Sequence, residues 1–457
     1  MAVLKFIACA LFMVVAVNAS YSVYQTIEKI KADGFEAEAH KVTTSDGYIL
    51  EMHRIPHGRT NKDSTEDRPV VLVMHGFMSA SQAFVMLGPD TSFAYHLADA
   101  GFDVWMGNAR GNKNSRAHVS LNPDDAVQKY EFFDFSWEEI GMIDLPAMID
   151  YILKTTGKDQ LHYIGHSQGG TVFLVMASML PEYNNKIASA HLCAGVGYQE
   201  YFPDEQLKQS ALMTDMIYYT ALQAGAVELF PPNSIEMLPD DIFQWPEYCL
   251  GSKNMKYMCQ IFGITRITNN YNAATDQPGA ALKQMAHYGQ NIRDKLFRRY
   301  HYGSAGNQEK YGSELPPKYD LSKITTFVTM HYTLNDNLLD ERDVLAMVAD
   351  IPRAVARQVA RTSFEHGDFV AAADAKELVT DYIIEEIKNA GQENNFTDND
   401  QVIVVDSPPT SAPGDEITSA PTTETSSTSA PDDSPGGAGT IVLNVYLIVL
   451  SLYVMLK

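Results

Sequence analysis

The chain has 457 residues, 45% of them hydrophobic and 20% charged, with a formal net charge of -23. That length and apolar content suffice for a large buried core. The acidic balance argues against nucleic acid and against charge-driven binding to anionic membranes, and otherwise reads as a solvated surface.

Residues 1–19 read as a signal peptide: Lys5 is the basic start, residues 6–17 are apolar, and Val17-Asn18-Ala19 offers a small-residue cleavage site. The apolar run is short for a transmembrane helix, so entry into the secretory route is expected. Cysteine usage agrees. Of four cysteines, Cys9 lies in the signal, Cys249 and Cys259 are close enough in sequence to close a small loop, and Cys193 reads as a buried thiol. No spacing suggests a metal site, and no cofactor is expected.

Residues 36–54 alternate about Ser45-Asp46-Gly47, a hairpin signal. Residues 69–74 are a buried-strand run ending in His75-Gly76-Phe77. A helix is expected over 93–100, a strand over 102–106, and a helix over 137–153. Leu161, Tyr163 and Ile164 suit a strand, residues 171–180 an apolar helix, and residues 187–194 another strand. Residues 198–322 break the rhythm with helix-like stretches such as 206–227. It resumes with a strand over 325–331, a helix over 341–349, a short strand before Phe364 and a closing helix over 368–389. Alternating strands and helices mean an open, mostly parallel sheet with helices on both faces. The expected organisation is an α/β core over 20–197 and 323–392, interrupted by a mainly helical cap over 198–322.

Between the strand at 161 and its helix lies Gly165-His-Ser167-Gln-Gly169, the G-x-S-x-G pattern of a nucleophile elbow. The glycines let strand and helix approach closely around a strained serine, and the helix start offers N–H groups to developing negative charge. Ser167 is therefore the candidate nucleophile. A serine hydroxyl needs a base, and the base needs an orienting carboxylate; on this topology they follow in the order acid, then histidine. Of the thirteen histidines, His191, His287, His301, His331 and His366 follow Ser167. His191 and His331 lie inside predicted strands, and His287 and His301 in the insert. His366 sits between a short strand and the last helix, where a loop base belongs. Asp336 directly follows a strand; Asp340 and Asp343 are further on, at a helix start where acids often serve as caps. Position favours Asp336. One oxyanion donor is expected at the N–H of Gln168 and another in the loop His75-Gly76-Phe77.

These residues resemble the acid lipases of the α/β-hydrolase fold, which include gastric and lysosomal acid lipases and insect relatives. The likeness covers about residues 24–390. Its matching stretches are Val42-Thr-Thr-Ser-Asp-Gly-Tyr-Ile-Leu50, Arg54-Ile-Pro56, His75-Gly76, Leu97-Ala-Asp-Ala-Gly-Phe-Asp-Val-Trp-Met-Gly-Asn-Ala-Arg-Gly-Asn112, Asp144-Leu-Pro-Ala147, the elbow, His287-Tyr-Gly-Gln290, Tyr311-Gly312-Ser313, Pro316-Pro317, Asn335-Asp336, and His366 with Asp368-Phe369. The resemblance implies a lipase acting on triacylglycerol or sterol ester at a lipid–water interface. It assigns Ser167 as nucleophile, Asp336 as acid, His366 as base, Phe77 and Gln168 as oxyanion donors, and a cap disulfide to Cys249 and Cys259. Departures are Glu365 before His366, Gly367 after it, and Gly170-Thr171 after the elbow. A non-catalytic lipid-binding or yolk-type relative is the alternative, disfavoured by the presence of all three triad residue types. Apolar residues near the expected disulfide, Phe230, Ile242, Phe243 and Trp245, are candidates for a mobile lid.

From Asn394 the chain turns polar, and residues 407–435 are rich in Ser, Thr and Pro, a composition that cannot bury a core. Residues 393–440 are expected to form a disordered stalk, with Asn395-Phe-Thr397 an N-glycosylation site. Residues 441–457 end the chain in an apolar run of 16 residues and Lys457. With small residues at Ser427-Thr428-Ser429 and a polar spacer, this reads as a GPI-anchor signal, which would hold the enzyme at the outer cell surface. A lysosomal destination is the alternative.

Overall fold

The computed structural model describes residues 26–64, 67–229, 278–390 and 403–405. The expected signal peptide, Cys249 and Cys259 with the loop they are expected to close, the lid candidates, Asn395 and the apolar run at 441–456 lie outside the described residues.

Among the described residues, nine strands form one sheet: β1 (Glu38–Thr43), β2 (Ile49–Ile55), β3 (Val70–Met74), β4 (Asp103–Met106), β5 (Leu161–His166), β6 (Ile187–Cys193), β9 (Val328–Tyr332), β10 (Ala354–Gln358) and β11 (Ile403–Val405). Their spatial order is β1-β2-β4-β3-β5-β6-β9-β10-β11. β1 and β2 pair antiparallel, as do β2 and β4, and every other neighbour is parallel. Strands covered on both faces read as unbroken apolar runs. Every residue of Val70–Met74 is accordingly buried, as are Leu161, Tyr163 and Ile164 of β5. β11 lies within the range assigned to the stalk. Its β-branched run Ile403-Val404-Val405 pairs parallel with Ala356, Arg357 and Gln358, so the sheet continues past residue 393.

Two expected helices are not continuous. The first comprises Trp137–Glu139, a π-helical turn over Ile140–Asp144, and Leu145–Thr156. The turn presents Gly141 to the helix that follows Ser167. A Cβ there would lie 2.8 Å from both the Val172 carbonyl oxygen and the Val175 Cβ. The closing helix is split likewise into Asp368–Ala371, a π turn over Lys376–Thr380, and Asp381–Ala390. Asp374, in the gap, is held by Arg361 Nη1 at 2.6 and 2.7 Å.

β6 and β9 are direct neighbours, and residues 198–322 intervene between them in sequence. That insert holds helices Glu205–Ala211 and Thr214–Gln223, a two-stranded ladder of β7 (Glu228–Leu229) with β8 (Ala280–Ala281), and helices Leu282–Asp294 and Gly303–Tyr311. Helix Leu282–Asp294 docks on the core. His287 stacks on Trp137 with ring centroids 3.6 Å apart. Its Nδ1 lies 3.0 Å from Ser136 Oγ, which also caps the helix start at Trp137. Among the described residues, no helix is long and apolar enough to cross a membrane.

Candidate active site

Ser167 joins β5 to helix Gln168–Met179 with φ 53 and ψ -114, a conformation a residue with a Cβ adopts only under strain. The flanking glycines are steric necessities. A Cβ on Gly165 would come within 2.5 Å of the Gly169 carbonyl carbon, and one on Gly169 within 2.3 Å of the Met74 carbonyl oxygen. The turn is held from below by Ser167 N–H donating to the Cys193 carbonyl at 2.9 Å.

Asp336 follows β9, and His366 lies in the loop after β10. His366 Nδ1 is 2.8 Å from Asp336 Oδ2, and His366 Nε2 is 2.8 Å from Ser167 Oγ. An ionised carboxylate only accepts, so Nδ1 carries the proton. Nε2 is then bare and accepts from the serine hydroxyl. The other oxygen, Asp336 Oδ1, takes the N–H groups of Leu338 and Leu339 at 2.7 and 3.0 Å. Asp336 and His366 are both buried. The two loops are tied together where Thr333 Oγ1 donates to the Phe364 carbonyl at 2.7 Å. The loop carrying the imidazole is braced by Asp368, which accepts from Arg361 and from the Glu365 N–H.

Gly76 lies against the serine: a Cβ added to it would sit 3.1 Å from Ser167 Cβ. Phe77 follows, with its ring 6.1 Å from that of Tyr288. Gln168 is the first residue of its helix, where a helix cannot bond its own N–H groups. Its side-chain amide donates to Gln284 Oε1 at 2.8 Å.

The other four histidines that follow Ser167 in sequence have partners elsewhere. His191 and His331 are buried on β6 and β9 and face each other at 3.3 Å. His287 spans Ser136 and the Arg298 carbonyl, and the backbone N–H of His301 is held by Gln290. Asp340 caps helix Glu341–Asp350. Asp343 accepts the backbone N–H groups of Glu200 and Tyr201 at 3.1 and 3.0 Å. Burial pushes the Cys193 thiol up to about 12, so it is inert. Among the described residues, no cluster of His, Cys, Asp and Glu could hold a metal ion.

One member of the site was not evident from sequence. His166 Nε2 lies 3.0 Å from the carbonyl oxygen of His366 and donates to it. Burial, reinforced by the neighbouring His366, pushes the His166 pKa down to about 4, which keeps the ring neutral. Its place beside the serine was the signal available; its partner is a backbone atom about 200 residues away, which no spacing reveals.

A mostly parallel sheet with a serine at a strained strand-to-helix turn, and a segment inserted between two neighbouring strands, is the arrangement of an α/β hydrolase. Residues 69–368 match the family described as alpha/beta hydrolase fold, and residues 26–88 that described as partial alpha/beta-hydrolase lipase region. Lipase 3 of Drosophila melanogaster is 38% identical over 373 residues, 79% of this chain and 92% of that one. Lipase 1 of the same organism is 37% identical over 366 residues, 78% of this chain and 77% of that one. Gastric triacylglycerol lipase of Homo sapiens is 31% identical over 362 residues, 77% of this chain and 87% of that one. The chain belongs to the α/β-hydrolase lipase family and is a carboxylic ester hydrolase.

Proposed function

We propose that Ser167, His366 and Asp336 hydrolyse the ester bonds of neutral lipids, triacylglycerol or sterol ester, through an acyl-enzyme. The observation that carries this reading is the line of two 2.8 Å hydrogen bonds from Ser167 Oγ through the imidazole to Asp336. Ser167 Oγ attacks the ester carbonyl as its proton passes to His366 Nε2. Asp336 stabilises the imidazolium. The carbonyl electron pair becomes an oxyanion, to which the N–H groups of Phe77 and Gln168 donate. Collapse of this intermediate expels the alcohol, which takes the proton from Nε2. Water, deprotonated by the same imidazole, then attacks the acyl-enzyme and releases the fatty acid and the serine.

The named gastric triacylglycerol lipases among the relatives support the substrate class. Entry into the secretory route through residues 1–19, a lipid anchor through 441–457, a Cys249–Cys259 disulfide, glycosylation at Asn395 and a lid within the cap belong to the same reading. Its test is hydrolysis of triacylglycerol, sterol ester and phospholipid, with and without an emulsified interface, alongside Ser167→Ala. Wild-type cleavage of at least one neutral ester and its abolition in the variant are expected. Near-normal turnover by Ser167→Ala would sink the mechanism.

A further inference from the structure

The hydrogen bonds around His75 admit one solution. Nδ1 lies 2.7 Å from the Gly76 carbonyl oxygen, which can only accept, so Nδ1 carries the proton. Nε2 lies 3.1 Å from the backbone nitrogen of Ala109 and 3.2 Å from Asn112 Nδ2, both donors. Nε2 is therefore bare and the ring neutral. Burial enforces that state: the side chain is 3% exposed, and desolvation pushes its pKa down to about 4. Ala109 and Asn112 belong to the stretch Gly107-Asn-Ala-Arg-Gly-Asn112, which none of the reacting groups uses. Here it acquires a task, because two of its donors set the tautomer of a histidine beside the nucleophile.

The Gly76 carbonyl and the Phe77 N–H are the two ends of one peptide plane, pointing in opposite directions. A group that holds the oxygen therefore also sets where the hydrogen points. The loop needs such a hold. Gly76 has no side chain to anchor it and packs against Ser167 Cβ, and Met78, just beyond, has φ 51, a region unfavourable to any residue with a Cβ. We infer that His75 is a positioning residue that clamps the Gly76–Phe77 peptide so that its N–H faces the developing oxyanion. It never touches substrate. This rests on the reading of Ser167 as nucleophile and Phe77 as oxyanion donor.

The inference is tested with His75→Phe, which keeps a planar ring of similar bulk and removes all three hydrogen bonds. A trifluoromethyl ketone serves as probe. Addition of Ser167 Oγ to its carbonyl, with the hydroxyl proton passing to His366, leaves an alkoxide where the oxyanion would form. Removing one oxyanion donor outright typically costs about 100- to 1,000-fold in kcat. Freeing the peptide to rotate should cost part of that, about 10- to 100-fold, with KM within about threefold. Affinity for the ketone should fall by the same factor as kcat. A purely structural His75 would instead lower thermal stability while leaving the kcat and ketone affinity of the folded enzyme unchanged, and that outcome overturns the clamp. Should the variant fail to fold, the wild-type protein still decides: ring-nitrogen NMR of the histidine-labelled full chain at neutral pH must show His75 protonated at Nδ1 and bare at Nε2, and an Nε2–H tautomer overturns the inference. If Ser167→Ala is inactive but His75→Phe is normal, only this inference falls. Activity surviving in Ser167→Ala removes both readings.

Discussion

Asp336 gives its two carboxylate oxygens to different partners, and this makes one substitution unusually informative. Oδ1 accepts two backbone N–H groups while Oδ2 faces His366 Nδ1. In Asp336→Asn the amide oxygen must stay with those two donors, because an NH2 group placed there would oppose them. The NH2 then faces Nδ1, which must give up its hydrogen to accept, and the proton moves to Nε2. An imidazole protonated at Nε2 cannot take the serine proton. A fall in kcat of about 1,000- to 10,000-fold is expected, with a thermal midpoint close to wild type. Parallel losses of activity and stability would mean that Asp336 acts through the loop's integrity instead. At this scale the candidate site was legible in part. Ser167, Asp336 and His366 could be placed by chain order and by their positions at strand ends. The orienting bonds of His75 and His166 could not, because their partners are backbone carbonyls and a distant loop that only the folded sheet brings near.

Strand β3 stood out because a strand covered on both faces reads as an unbroken apolar run, and β5 through its buried Leu161, Tyr163 and Ile164. The π turns at Ile140–Asp144 and Lys376–Thr380 did not, because apolar periodicity continues through an extra residue per turn. The first turn exists for a contact with a neighbouring helix, information that the local pattern does not hold. It ends at Asp144, which is fully buried against Arg110: Asp144 accepts from Arg110 Nε at 2.8 Å and from the Arg110 backbone N–H at 3.0 Å. Arg110 also donates to Asp46 at 2.6 Å and lies 4.0 Å from the Tyr48 ring centre. Removing one member of a buried pair strands the other charge without solvent. Asp144→Ala should therefore cost about 3–5 kcal/mol, read as a lower urea midpoint. Asp46 is 36% exposed, so water can take over its share, and Asp46→Ala should cost clearly less. Equal losses would refute the assignment of Asp144 as the principal counter-ion.

Across the whole molecule, buried histidines set how stability depends on pH. His75 and His191 are held neutral by burial, with pKa values pushed down to about 4 and about 3; His287 is likewise pushed down to about 3, and His331 lies well below its ordinary value. Burial is the leading cause in all four, and for His331 the Arg357 guanidinium adds to it. An unfolded histidine titrates near 6.5. Below that pH the unfolded chain binds protons that the folded chain refuses. The stabilisation from each such group is present above about pH 6.5 and is lost as pH falls toward its folded value. By pH 5 that loss is on the order of 2 kcal/mol per group. Asp343 works the other way: burial raises its pKa to about 6 against the two N–H groups it accepts, so its cost to the fold is relieved as pH falls below about 6. Burial raises Asp144, Glu228 and Glu386 as well, but His162 and His166, pushed down to about 4, add to the imidazoles. Carboxylates held low by cationic partners, such as Glu51 and Asp294, lose stability in the same direction as pH falls. The thermal midpoint should therefore be highest at or above about pH 6.5 and decline steadily toward pH 4, with unfolding accompanied by net proton uptake in calorimetry across buffers of different ionisation enthalpy. A midpoint that is flat or rising from pH 6.5 down to 4 would show that these histidines are already charged in the folded protein, which the hydrogen-bond geometry of His75 forbids for at least that one.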